Sequence, residues 1–313
     1  MKINFLSYLH PFRYNGGGEM ALRAVIEHGR QRGHDIGVFA RRTGKLSRLF
    51  PPRLESLPPA DVYFLADLFN CPEEGLALDR SLLERIVARS PYIHFDNAYV
   101  DVCQRPAFPC SGDRVRCPDA CTLERARWLY AGSLACVFVS PLHYRVVSGI
   151  LGQGIIRNPI IARPFVDTSL FFDRHEPRDI DCLYVGMIAK YKGYENLRRL
   201  FSGQNILLIG KNITGEKLIG KHIPYVPQSE LPAYYNRAKN FVHLPEWIEP
   251  QGRTVVEAAL CGCNLITNEN VGATSFDFDI SNPQIIADAP DHLWRDIEAC
   301  LGVATTRPNL AAI

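Results

Sequence analysis

Residues 246–273 read Glu246-Trp-Ile-Glu249-Pro-Gln-Gly-Arg-Thr-Val-Val-Glu257-Ala-Ala-Leu-Cys-Gly-Cys-Asn-Leu-Ile-Thr-Asn-Glu-Asn-Val-Gly-Ala273. The stretch sets Glu249 in a loop and Glu257 on a helix, eight positions apart around the helix start. The helix is expected from about Arg253 to Leu260, with Gly262 suited to a left-handed C-terminal turn. Pro250-Gln251-Gly252, between the two acids, leaves backbone N–H groups free at the helix N-terminus. Such an end attracts phosphate, because unsatisfied donors and the helix dipole point the same way. A phosphate cradle with a carboxylate on either side suits a sugar nucleotide. One acid accepts from ribose hydroxyls and the other from hydroxyls of the sugar. Alone, the same residues also describe a surface loop and an amphipathic helix, so the rest of the chain has to decide.

The chain has 313 residues, of which 47% are hydrophobic and 22% charged, enough for two soluble domains with real cores. No run of about 18 apolar residues is present, so no transmembrane helix is expected. The opening Met1–Pro11 resembles a signal peptide, but Asn4, Ser7 and His10 interrupt its apolar part. It reads as a first strand, and a cytoplasmic location is expected. Net charge is +2, yet residues 1–53 carry ten Lys or Arg against three acids. A solvated face explains this, and so does a basic surface for an anionic membrane or DNA.

Six of the ten cysteines, Cys71, Cys136, Cys182, Cys261, Cys263 and Cys300, stand among apolar residues and read as small hydrophobes. Cys103, Cys110, Cys117 and Cys121 cluster in a Pro- and Gly-containing segment without periodicity. Four thiols there suit a structural zinc ion that replaces a missing local core. Free thiols and disulfides are the alternatives, the latter disfavoured in a reducing compartment.

Strand and helix patterns alternate along the chain. Strands are expected at residues 2–9, 35–40, 61–65, 91–95 and 136–139. Helices are expected at 18–32, 82–89, 122–131 and 141–150. Three prolines near 159–177 mark a linker. The rhythm resumes with strands at 181–186, 205–210, 240–244 and 264–267, and helices near 229–238 and 253–260. This is the pattern of right-handed βαβ units on parallel sheets. The expected organisation is a domain over 1–163 with a Cys-rich insertion at about 103–121, a linker over 164–177, and a domain over 178–313. Ligands in such sheets bind at the carboxyl ends of the strands.

In this order and at these separations, five segments resemble the GT-B glycosyltransferases, specifically the large retaining family numbered four (group one). They are Glu249–Ala259 with its two glutamates; Tyr184-Val-Gly186-Met-Ile-Ala-Lys190-Tyr-Lys192-Gly193; the glycine loop Gly16-Gly17-Gly18-Glu19; Pro164–Phe171 as an interdomain linker; and the Cys103–Cys121 insertion. The resemblance implies an α/β fold of two doubly wound Rossmann-like domains facing each other across a cleft. It implies a retaining transfer from a UDP- or GDP-sugar to a hydroxyl acceptor, as in polysaccharide, glycolipid or glycan synthesis, by an enzyme that is cytoplasmic or peripheral at a membrane.

The resemblance also assigns roles. Lys192 neutralises the donor diphosphate, Glu249 holds the donor sugar's hydroxyls, and Glu257 holds the ribose. Gly186, Gln251, Gly252 and Arg253 line the donor, and Gly16, Gly17 and Gly18 admit phosphates or acceptor closely. The family's Arg after the glycine is Met187 here, and Lys190, Arg253 or a basic residue of the other domain is expected to compensate. No nucleophile is assigned to Glu249, since the favoured route is front-face transfer with the donor phosphate taking the acceptor proton.

Pro91–Asn97 ends a strand on the cleft side. His94 and Asp96 are therefore candidates to orient the acceptor hydroxyl, with a core histidine and a helix-capping aspartate as the structural alternative. No Asp-x-Asp pair stands at a strand end, so no catalytic metal is expected. The competing readings are a transferase acting on modified bases in DNA, and a degenerate, non-catalytic nucleotide-sugar binder with Met187 as its main support. The chain ends soon after Arg307, and a C-terminal helix crossing back onto the first domain is expected to be truncated or absent.

Overall fold

The computed structural model describes residues 1–14, 16–42, 57–66, 84, 85, 87, 88, 90–99, 101, 102 and 120–305. Most of the expected helix over 82–89 lies outside them, as do Cys71, Cys103, Cys110, Cys117 and the side chain of Cys121, and with them the zinc expectation. The described chain divides into two compact units. The first holds Met1–Val139, Tyr144–Arg163 and the segment from Ala289, and the second holds Ser140–His143 and Pro164–Asp288.

The first unit is built on β1 (Lys2–Leu9), α1 (Gly17–Gln31), β2 (Asp35–Arg42), β3 (Val62–Ala66), β4 (Tyr92–Asp96), α2 (Ala120–Gly132), β5 (Ala135–Phe138), α3 (Pro141–Leu151) and β6 (Pro159–Ile161). Its strands pair in parallel in the order β2-β1-β3-β4-β5-β6. All five residues of β3 and of β4 are buried, as strands covered on both faces should be. That is why Val62–Ala66 reads as a continuous apolar run rather than an alternating one.

The second unit contains β7 (Ile180–Val185), α4 (Tyr194–Phe201), β8 (Ile206–Ile209), β9 (Lys221–Ile223), α5 (Leu231–Arg237), β10 (Ala238–His243), α6 (Arg253–Leu260), β11 (Asn264–Thr267) and α7 (Pro283–Ala287). Its parallel order is β11-β10-β7-β8-β9. Alternation along β7 divides its core in two. Leu183 and Val185 pack with Leu207, Phe241 and Val255 in one cluster, while Cys182 and Tyr184 pack with Leu208, Val242 and Leu197 in another. Helix α4 buries Tyr194, Leu197 and Phe201 along one stripe. Its eight residues are too few for the periodicity to stand out in the sequence. The chain leaves β7 to one side through β8 and returns to the other through β10. The carboxyl ends of β7 and β10 therefore form the topological switch point, where such sheets open a crevice.

Two expectations about the C-terminal part are corrected. The helix thought truncated or absent is α8, Ala289–Thr305, and it belongs with the first unit, not with 178–288. Leu293, Trp294 and Ile297 have no exposed surface. The Trp294 indole donates to the Val25 carbonyl at 3.0 Å. A Cβ on Gly29 would stand 2.3 Å from the Trp294 ring, so α1 carries glycine where the indole enters. Outside this core Arg32 bridges Asp291 and Glu298, and His28 meets Asp291 at 2.8 Å. No helix among the described residues is long and apolar enough to cross a membrane.

Candidate functional site

The switch point of the second unit gathers the residues that bear chemistry. After β7 the chain turns at Gly186 (φ +144°) and again at Gly193 (φ +87°), both in backbone territory that favours glycine. A Cβ on Gly193 would sit 1.9 Å from the Leu244 carbonyl oxygen, so that turn closes directly on the end of β10. Lys192, just before it, reaches Glu249 Oε1 at 2.9 Å. The same ammonium lies 4.3 Å from the centroid of the Trp247 ring, a cation–π contact. Tyr191 meets Trp247 edge-on and places its hydroxyl 3.3 Å from the Met187 sulfur.

Glu249 is the centre of this arrangement. Its backbone is pinned on both sides: its N–H donates to Asn270 at 2.7 Å and its carbonyl accepts from Gly272 at 3.0 Å. His243, the last residue of β10, brings Nε2 to 2.5 Å from Glu249 Oε2. Burial works to raise the Glu249 carboxyl, but His243 and Lys192 outweigh it and hold the group down at about 2. Glu249 is therefore a fixed carboxylate at neutral pH, an acceptor that two donors leave with lone pairs to spare.

Pro250 and Gln251 carry the chain from Glu249 to α6. Their carbonyls accept from Ser140 Oγ and the Ala273 N–H, each at 2.5 Å. Gly252 then caps α6 in the left-handed region (φ +83°) without a side-chain hydrogen bond. On α6 the Arg253 guanidinium meets Glu257 Oε1 at 2.9 Å, and the Tyr235 hydroxyl donates to Glu257 Oε2 at 3.1 Å. Glu257 is buried, and that burial pushes its carboxyl above the ordinary value despite Arg253.

Among the residues singled out from sequence, Gly186, Lys192, Glu249, Gln251, Gly252, Arg253 and Glu257 thus converge. Lys190 does not join them, because it pairs with Glu216 at 3.1 Å on the exposed side. Glu257, expected to hold the ribose, carries one protein partner on each oxygen, as Glu249 does. Met187 is exposed at the end of β7, and the Tyr184 hydroxyl donates to its carbonyl at 2.8 Å.

Gly16, Gly17, Gly18, His94 and Asp96 all lie in the first unit. Gly16 and Gly17 open α1, and a Cβ on Gly18 would stand 2.7 Å from the Asn97 amide. His94 and Asp96 have no exposed surface. His94 Nε2 meets Asp101 Oδ2 at 2.9 Å, and the Tyr130 hydroxyl donates to Asp96. As they stand, both side chains serve the core, and neither reaches a surface where an acceptor hydroxyl could meet it.

Residues 167–276 of this chain match the family model described as glycosyl transferases group 1. The matched stretch takes in β7 through β11 and every element of the Lys192–Glu249 site. A curated relative, O-antigen chain mannosyltransferase B of Escherichia coli, is 32% identical over 98 residues. That match spans 28% of this chain and only 26% of the relative's length.

Solved structures match along nearly the whole chain. Sucrose-phosphate synthase from Thermosynechococcus elongatus has a TM-score of 0.67 at 14% identity, covering 97% of this chain and 94% of that one. Anabaena HepE in complex with UDP-glucose has a TM-score of 0.63 at 13% identity, covering 98% and 100%. An alpha-glucosyltransferase in complex with UDP-glucose and DNA has a TM-score of 0.55 at 11% identity, covering 97% and 91%. At these identities the likeness establishes the fold, GT-B with two doubly wound Rossmann-like units.

Four participants were not legible in advance. His243 ends an apolar strand and reads as one more core residue. Trp247 stands two residues before Glu249, a proximity that could have flagged it. Tyr191 stands directly before Lys192, a signal of the same kind, and only Tyr235 reaches the site purely through space.

Proposed function

We propose that the chain is a retaining glycosyltransferase that takes a nucleotide-sugar donor in its second unit and transfers the sugar to a hydroxyl acceptor. The observation that carries this reading is the Lys192–Glu249–His243 constellation at the switch point of that unit. The fixed Glu249 carboxylate is the acceptor for hydroxyls of the donor sugar. Lys192, 2.9 Å away, supplies positive charge where a departing diphosphate builds negative charge. The bond from the anomeric carbon to phosphate oxygen breaks, and a bond from that carbon to the acceptor oxygen forms on the same face. The acceptor proton passes to the departing phosphate oxygen, so Glu249 needs no covalent role.

Arg253 and the N-terminus of α6 face the phosphates in this reading, and Arg253 shares its charge with Glu257. The UDP and UDP-glucose complexes of fold neighbours support a uridine donor, and the mannosyltransferase match keeps a guanosine donor in play. A glycan or lipid-linked acceptor is the reading carried forward, in a cytoplasmic enzyme that binds a membrane surface peripherally through its basic first residues.

The test is a thermal-shift screen of the full chain against UDP, GDP, ADP and CMP and their sugar conjugates. The expected result is a rise in Tm with one nucleotide family, lost in Lys192→Ala. Transfer then follows with glycan and lipid-linked acceptors, and NMR reads the anomeric configuration of the product. No shift with any nucleotide refutes the donor site. A shift without transfer to any acceptor points instead to a non-catalytic binder, and transfer only to modified duplex DNA to the nucleic-acid reading.

A further inference from the structure

Position 243 is unusual for its place in the fold. It ends β10, an interior strand of a parallel sheet, after Phe241 and Val242 and before Leu244, all three buried. Such positions take Val, Ile or Leu, because both faces are covered. An imidazole there has to recover the hydrogen bonds that it loses to burial. The ring lies between Tyr184 and Phe241, with centroids at 5.9 and 6.4 Å and interplanar angles of 25° and 22°. Its side chain is 4% exposed. Nδ1 is buried and makes no hydrogen bond among the described residues. The polar partner of the ring is therefore Glu249 Oε2, through Nε2. Since a carboxylate only accepts, the ring hydrogen sits on Nε2 and points at Glu249.

This contact is not needed to hold the loop. The backbone of Glu249 is already tied to Asn270 and Gly272, and Gly272 is wedged against Pro250, where a Cβ would come within 1.9 Å of the carbonyl oxygen. What those ties leave free is rotation of the Glu249 side chain. Lys192 grips one carboxylate oxygen, but an ammonium on a four-carbon stem fixes a point, not a plane. A second donor on the other oxygen, from a ring locked by two aromatic neighbours, fixes the plane.

We propose that His243 is a positioning residue: it sets the plane of the Glu249 carboxylate so that its remaining lone pairs meet the donor sugar's hydroxyls. The inference rests on the donor-site reading above and names a residue which that reading does not require. His243 touches neither donor nor acceptor in this role and acts through Glu249.

The test uses calorimetric titration of the full chain with matched pairs, UDP against UDP-glucose and GDP against GDP-mannose. The readout is the factor by which the sugar tightens binding over the bare nucleotide. His243→Asn shortens the amide out of reach of Glu249, whereas His243→Gln keeps an N–H near the Nε2 position. The expected result is that His243→Asn cuts the sugar's contribution about fivefold or more and leaves bare-nucleotide affinity within about twofold. His243→Gln retains it within about twofold. On a Glu249→Ala background, the change at 243 adds nothing further, as coupling through one partner requires.

An unchanged sugar contribution in His243→Asn overturns the inference, and so does an equal loss of bare-nucleotide binding or an additive loss on the Glu249→Ala background. A wild-type chain that binds neither these four ligands nor the ADP and CMP ligands of the screen above overturns the donor-site reading, and this inference with it. Binding by the wild type with no effect at 243 overturns the inference alone.

Discussion

Glu249→Gln isolates the charge on which the site is built. The folded-state carboxyl is held at about 2 against an ordinary 4.5, because His243 and Lys192 overcome its burial. A depressed carboxyl stabilises the fold above its unfolded value and loses that contribution as pH falls through the folded value. The gap of about 2.5 units corresponds to about 3 kcal/mol near pH 7, of which about 1 kcal/mol is left near pH 3. The amide cannot titrate, so the stability difference between wild type and variant should shrink by about 2 kcal/mol over that range. Other carboxyls held low, Asp179, Asp181, Asp279, Asp291 and Glu298, titrate identically in both proteins and cancel. The assay is urea unfolding of the full chain at stepped pH, followed by far-UV circular dichroism. The amide carries its own cost beside Lys192, so the pH slope is the prediction and not the offset. A difference that stays constant from pH 7 to pH 3 refutes the claim that His243 and Lys192 hold Glu249 ionised.

Gly193→Ala should destabilise the second unit by about 1–2 kcal/mol from the left-handed backbone alone, and by more from the contact with the Leu244 carbonyl. Urea midpoints check it, and a neutral substitution would mean that the turn closes differently. Trp294→Ala should cost the first unit about 3–5 kcal/mol, because the indole is fully buried and its N–H is spent on Val25. Far-UV circular dichroism and denaturation of the full chain read this loss. An unaltered midpoint would mean that α8 contributes nothing to that core.

The local parts of this protein were legible in its residues. Alternating helix and strand periods and double-faced apolar runs such as Val62–Ala66 indicate parallel sheets, because a strand's own residues must match the faces that cover it. The glycines at 186, 193 and 252 mark turns, and Glu249 and Glu257 around a short helix mark the crevice. Each of these signals lies within a few positions of its consequence. What sequence could not decide depends on which distant residue arrives in space. Lys190 and Lys192 look interchangeable, yet one meets Glu216 and the other Glu249. Glu257 reads as a lone acid on a helix, and Arg253 and Tyr235 each take one of its oxygens. His94 and Asp96 read as site residues and are enclosed by Asp101 and Tyr130. His243 reads as core and turns its Nε2 to Glu249. Helix α8 follows the second unit in sequence and packs in the first, because a slot beside Gly29 admits Trp294. Periodicity is a property of neighbours along the chain and is visible there. The ionisation, burial and partner of a polar group are set by through-space contacts between segments tens to hundreds of residues apart, and only the tertiary structure fixes those.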